Sequence, residues 1–123
     1  MKRRIFLIIV IIFLIVFFLF FFFWNNPENR KLTLILDYGN NHRQTFRVSV
    51  SEEKRVWSLL QQATAISGID LEPTNDFYPR KIDGLIDGVD NKHWVFYVNG
   101  AKQNLSPFDA LVKPPAEVVF RFE

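Results

Sequence analysis

Lys31-Leu32-Thr33-Leu34-Ile35-Leu36, then Tyr38-Gly39-Asn40-Asn41, then Thr45-Phe46-Arg47-Val48-Ser49-Val50 is the stretch on which the fold turns. Leu32, Leu34 and Leu36 fall on one face of an extended chain, and Phe46, Val48 and Val50 alternate with Thr45, Arg47 and Ser49. Period-two alternation on both sides of a Gly/Asn turn is the pattern of a half-buried β-hairpin. Downstream, Val56, Leu59, Leu60, Ala63 and Ile66 follow the spacing of one helix face, with Trp57 beside them. Ser51 reads as the N-cap of that helix, Glu52 and Glu53 as its first turn, and Gly68 as its stop, over about four turns. Beyond Pro73 and Pro79, Lys81 to Ile86 and Trp94 to Val98 read as strands joined by Asp87-Gly88-Val89-Asp90-Asn91. Asn99-Gly100 is a strong hairpin signal, because both central residues of a type I′ turn need positive φ. Glu117 to Glu123 closes the chain as a strand. Two strands, one helix and about three strands predict an α+β domain of β-grasp type.

Upstream lies a different composition. Ile5 to Trp24 is an unbroken apolar run of twenty residues, preceded by Lys2-Arg3-Arg4. As a helix it spans about 30 Å, the thickness of a bilayer's hydrocarbon core. A cleaved signal peptide has a shorter apolar region, of about 7–15 residues, ending in small residues. This run ends Phe-Phe-Phe-Trp-Asn-Asn, which predicts an uncleaved signal anchor. Basic residues precede the run and none lies in Asn25 to Asn29, so the positive-inside rule predicts a cytoplasmic N-terminus and an extracytoplasmic domain. The expected organisation is a basic flank at 1–4, a transmembrane anchor at 5–24, a linker at 25–30 and one domain at 31–123.

With Lys2, Arg3 and Arg4 set aside, twelve basic residues face thirteen acids. The net positive charge is therefore an orientation signal. No basic run longer than two occurs after the anchor, which argues against nucleic acid as a partner. The chain has no cysteine, so no disulfide supports the domain and stability must come from its apolar core. A domain of this size buries about 60–65% of its unfolded surface, enough to fold alone.

The segments Ile86-Asp87-Gly88-Val89 and His93-Trp94-Val95-Phe96-Tyr97-Val98-Asn99-Gly100 resemble the signature of the transcobalamin-like C-terminal domain family. This family groups small bacterial extracellular domains with the C-terminal domain of transcobalamin and intrinsic factor. The resemblance extends in layout over about Lys31 to Phe122. It departs at Lys113-Pro114-Pro115-Ala116, where the family often has a Pro-Gly-Asp turn. It implies binding and no catalysis. In the vitamin carriers the domain covers one face of cobalamin, so a corrinoid is the cofactor class the resemblance suggests, with no second domain here to cover its other face.

Trp94, Phe96, Tyr97 and Asn99 are the candidate ligand-binding residues, as an aromatic platform with a turn amide beside it. The same residues also suit a core, a sheet surface and a type I′ turn. Asp83, Asp87 and Asp90 with Asn91 lack the spacing of a calcium loop and suit turns. His42 and His93 stand in no metal spacing, no metal site is expected, and no nucleophile elbow or phosphate-binding glycine loop occurs. The expectation is a non-catalytic, single-pass, membrane-anchored binding module for a small ligand or an envelope protein. The alternative is a structural, adhesion or assembly element whose exposed strand pairs with another chain and which takes no small ligand.

Overall fold

A computed structural model describes residues 1–123, the side chains of Pro27 and Glu28 excepted. Helix α1 covers Lys2–Trp24, and none of its residues is buried. It is apolar all round and is long and apolar enough to cross a membrane. A short 3-10 turn, Pro27–Arg30, leads from it into the first strand.

The hairpin forms as its alternation predicts. Strand β1, Lys31–Asp37, pairs antiparallel with β2, Arg43–Ser49, placing Leu34 opposite Phe46. Leu32, Leu34 and Leu36 are fully buried. The Tyr38 amide closes the turn on the His42 carbonyl at 3.0 Å. Gly39 has φ +91°, and a Cβ there would stand 3.0 Å from the Phe122 carbonyl oxygen, so both backbone angle and space require glycine.

The helix begins later than Ser51-Glu52-Glu53 suggested. Lys54–Arg55 is instead a short strand, β3, and α2 runs Val56–Ser67 with Arg55 at its N-cap. The cap comes from tertiary structure: the Val56 amide donates to the Ala110 carbonyl at 3.0 Å and the Trp57 amide to the Pro107 carbonyl at 2.8 Å. These bonds satisfy donors that a serine side chain would otherwise serve. The helix has twelve residues, about 3.3 turns instead of four. It stops at Gly68, in the left-handed region at φ 67°, and the Ile69 amide returns to the Thr64 carbonyl at 2.9 Å. That is a Schellman closure.

Next come β4, Leu71–Pro73, β5, Pro79–Ile82, and β6, Leu85–Ile86, which form a small antiparallel sheet. The single strand expected from Lys81 to Ile86 is therefore folded in two. Asp83 and Gly84 both have positive φ, at 51° and 82°, and bring Ile82 opposite Leu85. Asp-Gly is a type I′ turn sequence, and here it overrides the apolar run.

β7, Trp94–Val98, turns at Asn99-Gly100 into β8, Ala101–Lys102; both turn residues have positive φ, as expected. β9, Leu111–Val112, pairs with β3, and β10, Ala116–Phe122, completes the main sheet. That sheet has the order β2-β1-β10-β7-β8, with β1 parallel to β10 and its other neighbours antiparallel. The chain is thus α+β, an apolar N-terminal helix followed by a sheet-rich domain. Leu59, Leu60 and Ala63 of α2 share one core with Leu34, Phe96 and Phe120 of the sheet.

Candidate functional site: an open sheet face and its free edge

Strand alternation divides the four residues of the predicted platform. Trp94 and Phe96 point into the core and are 5% and 3% exposed. Phe96 stacks on Phe120 at 5.3 Å between centroids, and Trp94 lies 5.2 Å from Phe122. The Trp94 indole N–H donates to the Leu85 carbonyl at 2.9 Å, and its amide donates to Asp87 Oδ1 at 2.6 Å. Both rings are core. Tyr97 points the other way, onto the uncovered face. Asn99 is exposed, and its Oδ1 accepts the Glu117 amide at 2.9 Å, tying the β7–β8 turn to the start of β10. The four residues do not converge on one ligand position.

The uncovered face is ordered in rows by the sheet register. The middle row crosses Thr45, Ile35, Val119, Tyr97 and Lys102. Its apolar centre is well packed, with Val119 only 9% exposed although it lies outside the main core. The row beyond it crosses Arg43, Asp37, Arg121 and Val95. Asp37 Oδ2 is 3.0 Å from Arg43 and 3.2 Å from Arg121, and its Oδ1 accepts the Gly39 amide at 3.0 Å. Burial alone would raise the Asp37 pKa, but the Gly39 amide and the two guanidinium groups outweigh it and hold the carboxyl below its ordinary value. The Arg121 guanidinium also lies over the Tyr97 ring at 5.0 Å. The Tyr97 hydroxyl donates to Glu123, and that bond, more than burial, raises the phenol pKa.

At the end of the sheet nearest α1, Thr33, Arg47, Asn99, Pro115 and Glu117 line a shallow cleft of about 280 Å³. It is open and mixed in polarity. The apolar, enclosing pocket expected of a small-ligand site is different in kind.

The face ends at β2, the outermost strand. The Tyr38 amide bonds the His42 carbonyl and the Val50 amide bonds the Arg30 carbonyl, which fixes the phase of the β1–β2 ladder. Gln44, Phe46 and Val48 then bond inward to β1, while the amides and carbonyls of Arg43, Thr45, Arg47 and Ser49 point out of the sheet. Among the described residues no strand takes up that row. Arg43 and Arg47 border it, the kind of charge that guards sheet edges. The opposite edge, β8, has only two residues. Local alternation in the sequence showed that β2 would form. It carried no sign of which strands would end as neighbours, so the edge was not legible there.

The acidic loop residues serve turns. Asp83, Asp90, Asn91 and Asn99 all have positive φ, which short polar side chains tolerate. Asp87 Oδ2 stands 3.3 Å from His93 Nδ1 while its other oxygen holds the Trp94 amide. His42 is exposed and stacks on Tyr38 at 5.1 Å. Among the described residues, no group of three or more His, Cys, Asp or Glu side chains is placed to hold a metal ion.

No protein-family model matches the chain, and no curated protein matches it. Sixteen chains of known structure do. One is a provisionally named metal-binding protein from Ruminococcus gnavus ATCC 29149, with a TM-score of 0.59 at 14% identity; the match covers 76% of this chain and 96% of that one. At that identity the likeness is one of fold.

Proposed function

We propose that this chain is a membrane-anchored, non-catalytic, extracytoplasmic binding module that takes an extended segment of a partner protein along β2. The observation that carries the reading is the outward row of unpaired amides and carbonyls on Arg43, Thr45, Arg47 and Ser49. Such a row is a template for β-augmentation, in which backbone bonds supply affinity and alternate side chains supply specificity. Arg47 favours a partner strand with an acidic residue facing it, while Arg43 is already engaged by Asp37. The short tether after Trp24 keeps the module at the membrane surface, so the partner is an envelope protein that reaches it there. The wider arrangement is β-grasp in kind, with parallel first and last strands at the centre and a helix on one face; this supports the transcobalamin-like resemblance. A corrinoid is less well served, because Trp94 and Phe96 have no free face left for its ring.

The test places a photo-crosslinking residue at Ser49 in the native membrane, with a second at Gln62 on the exposed side of α2 as a control. Crosslinks from Ser49 alone, abolished by Thr45→Pro and weakened by Arg47→Glu, are the expected result. Proline removes an outward amide that the domain itself does not use, so the fold survives the change. Equal crosslinking from both positions, or a product indifferent to Thr45→Pro, refutes edge pairing.

A further inference from the structure

A second set of residues, on the helix side of the domain and away from β2, is built around Trp57. Its ring is 3% exposed, and its indole N–H finds no acceptor among the described residues. Buried polar groups are satisfied as a rule, so an orphan donor calls for an explanation. Phe77 lies against this indole edge-on at 5.9 Å and stacks on Phe108 at 4.7 Å with 22° between the rings. Phe77 and Phe108 are 42% and 37% exposed. Arg55 closes the other side of Phe108, its guanidinium 4.4 Å above the ring and bonded to the Phe108 carbonyl at 2.8 Å.

The backbone under Phe77 is as unusual as the donor beneath it. The Phe77 amide bonds the Thr74 carbonyl at 3.2 Å and the Thr74 amide bonds the Tyr78 carbonyl at 2.8 Å, closing a tight loop between β4 and β5. Phe77 takes the left-handed position of that loop, at φ 57°. Every other non-glycine residue with positive φ among those described is Asn or Asp. A bulky side chain in that conformation is a genuine outlier, and such strain clusters at ligand clamps and switch segments. Two local costs, a strained aromatic and an unpaired buried donor, therefore stand in contact.

We propose that Phe77 is a stand-in for a ligand, and that the Trp57–Phe108 cluster binds an uncharged planar aromatic ring bearing a carbonyl oxygen. The incoming ring takes the place of Phe77 against Phe108, the loop swings free, and the carbonyl accepts the Trp57 indole N–H. Release relieves both costs. The ring must be flat because it replaces one partner of a stacked pair. It is uncharged because Asp76 and Asp109, next to the two phenylalanines in sequence, disfavour an anion, while the Arg55 guanidinium over Phe108 and the Trp57 N–H donor disfavour a cation.

Benzamide is the probe, added to the full-length chain in detergent micelles while the indole N–H resonances of Trp24, Trp57 and Trp94 are followed by NMR. The Trp94 donor is already bonded to Leu85 and reports the fold, and Trp24 reports partition into the micelle. Expected is a saturable millimolar shift of the Trp57 resonance that acetamide and the non-planar cyclohexanecarboxamide do not produce. Phe77→Gly, which removes the stand-in and suits the backbone, tightens benzamide binding several-fold; Phe108→Ala weakens it several-fold. Absence of a saturable Trp57 shift overturns the proposal. So does an equal response to cyclohexanecarboxamide, or an affinity unchanged in both variants with the Trp94 resonance in place.

Discussion

Asp37 concentrates much of the uncovered face's electrostatics in one carboxylate. It is 8% exposed, contacts both Arg43 and Arg121, and holds the Gly39 amide across the first turn. Its folded pKa is depressed, so its contribution to stability is fully present above the ordinary carboxylate value and is lost as pH falls through the lower folded value. Asp37→Asn keeps the shape and removes the charge, and is expected to cost about 1–3 kcal/mol at neutral pH. Urea melts at pH 7 and pH 3 measure this: the gap between wild type and variant narrows at the acid end. An undiminished gap would mean that the ion pairs contribute nothing. Tyr38 works at the opposite extreme. Burial, reinforced by the Asp83 charge, pushes its phenol up to about 12, so folding weakens as pH climbs from 10 toward that value. None of this was legible in the sequence, where Asp37 is simply the residue after an apolar strand. Its two arginine partners come from β2 and from the far end of the chain.

Elements whose signals are local were legible, and those capped or broken from outside were not. Asn99-Gly100 makes its own turn through two positive φ values, and Gly68 ends α2 in the same way, so both could be placed from the residues alone. Ser51 misled because the first α2 amides bond to Pro107 and Ala110, some fifty residues downstream. Lys81 to Ile86 misled differently: its apolar residues read as one strand, yet Asp83-Gly84 inside it holds a complete turn signal. The division of the candidate platform was already implicit in the alternation, since Trp94 and Phe96 share the buried face of β7 and Tyr97 lies on the other. The Gly68 stop can be tested by itself. No atom lies within 4 Å of where its Cβ would be, so Gly68→Ala meets no clash and suffers only the backbone penalty at φ +67°. That penalty is about 1–2 kcal/mol, read as a lower denaturation midpoint with unchanged m-value. A variant as stable as wild type would show that the α2 terminus frays at no cost.

Over the whole molecule, α1 and the domain differ in what they bury. The core is drawn from residues 32–122 and takes nothing from α1, whose apolar side chains are all exposed. Membrane anchoring by α1, as proposed above, would supply the apolar environment that a helix of this length lacks in water. Deleting residues 1–24 is therefore expected to leave the domain's melting temperature within a few degrees of the full chain's while abolishing membrane association. The proposed orientation is a separate matter and rests on the charges at the two ends of the helix. Lys2, Arg3 and Arg4 stand at the N-terminal end of α1, and in the proposed anchoring the positive-inside rule assigns that end to the cytoplasm. The absence of native cysteine allows a clean assay of this, because any introduced thiol is the sole target. Cysteine at exposed Ser58 should react with a membrane-impermeant maleimide in intact cells, and cysteine at Lys2 should react only after lysis. Replacing Arg3 and Arg4 with Glu should blur that difference by admitting inverted molecules. Labelling of the Lys2→Cys chain in intact cells, with Arg3 and Arg4 unchanged, would place β2 in the cytoplasm, and any partner for its edge would then have to be sought there.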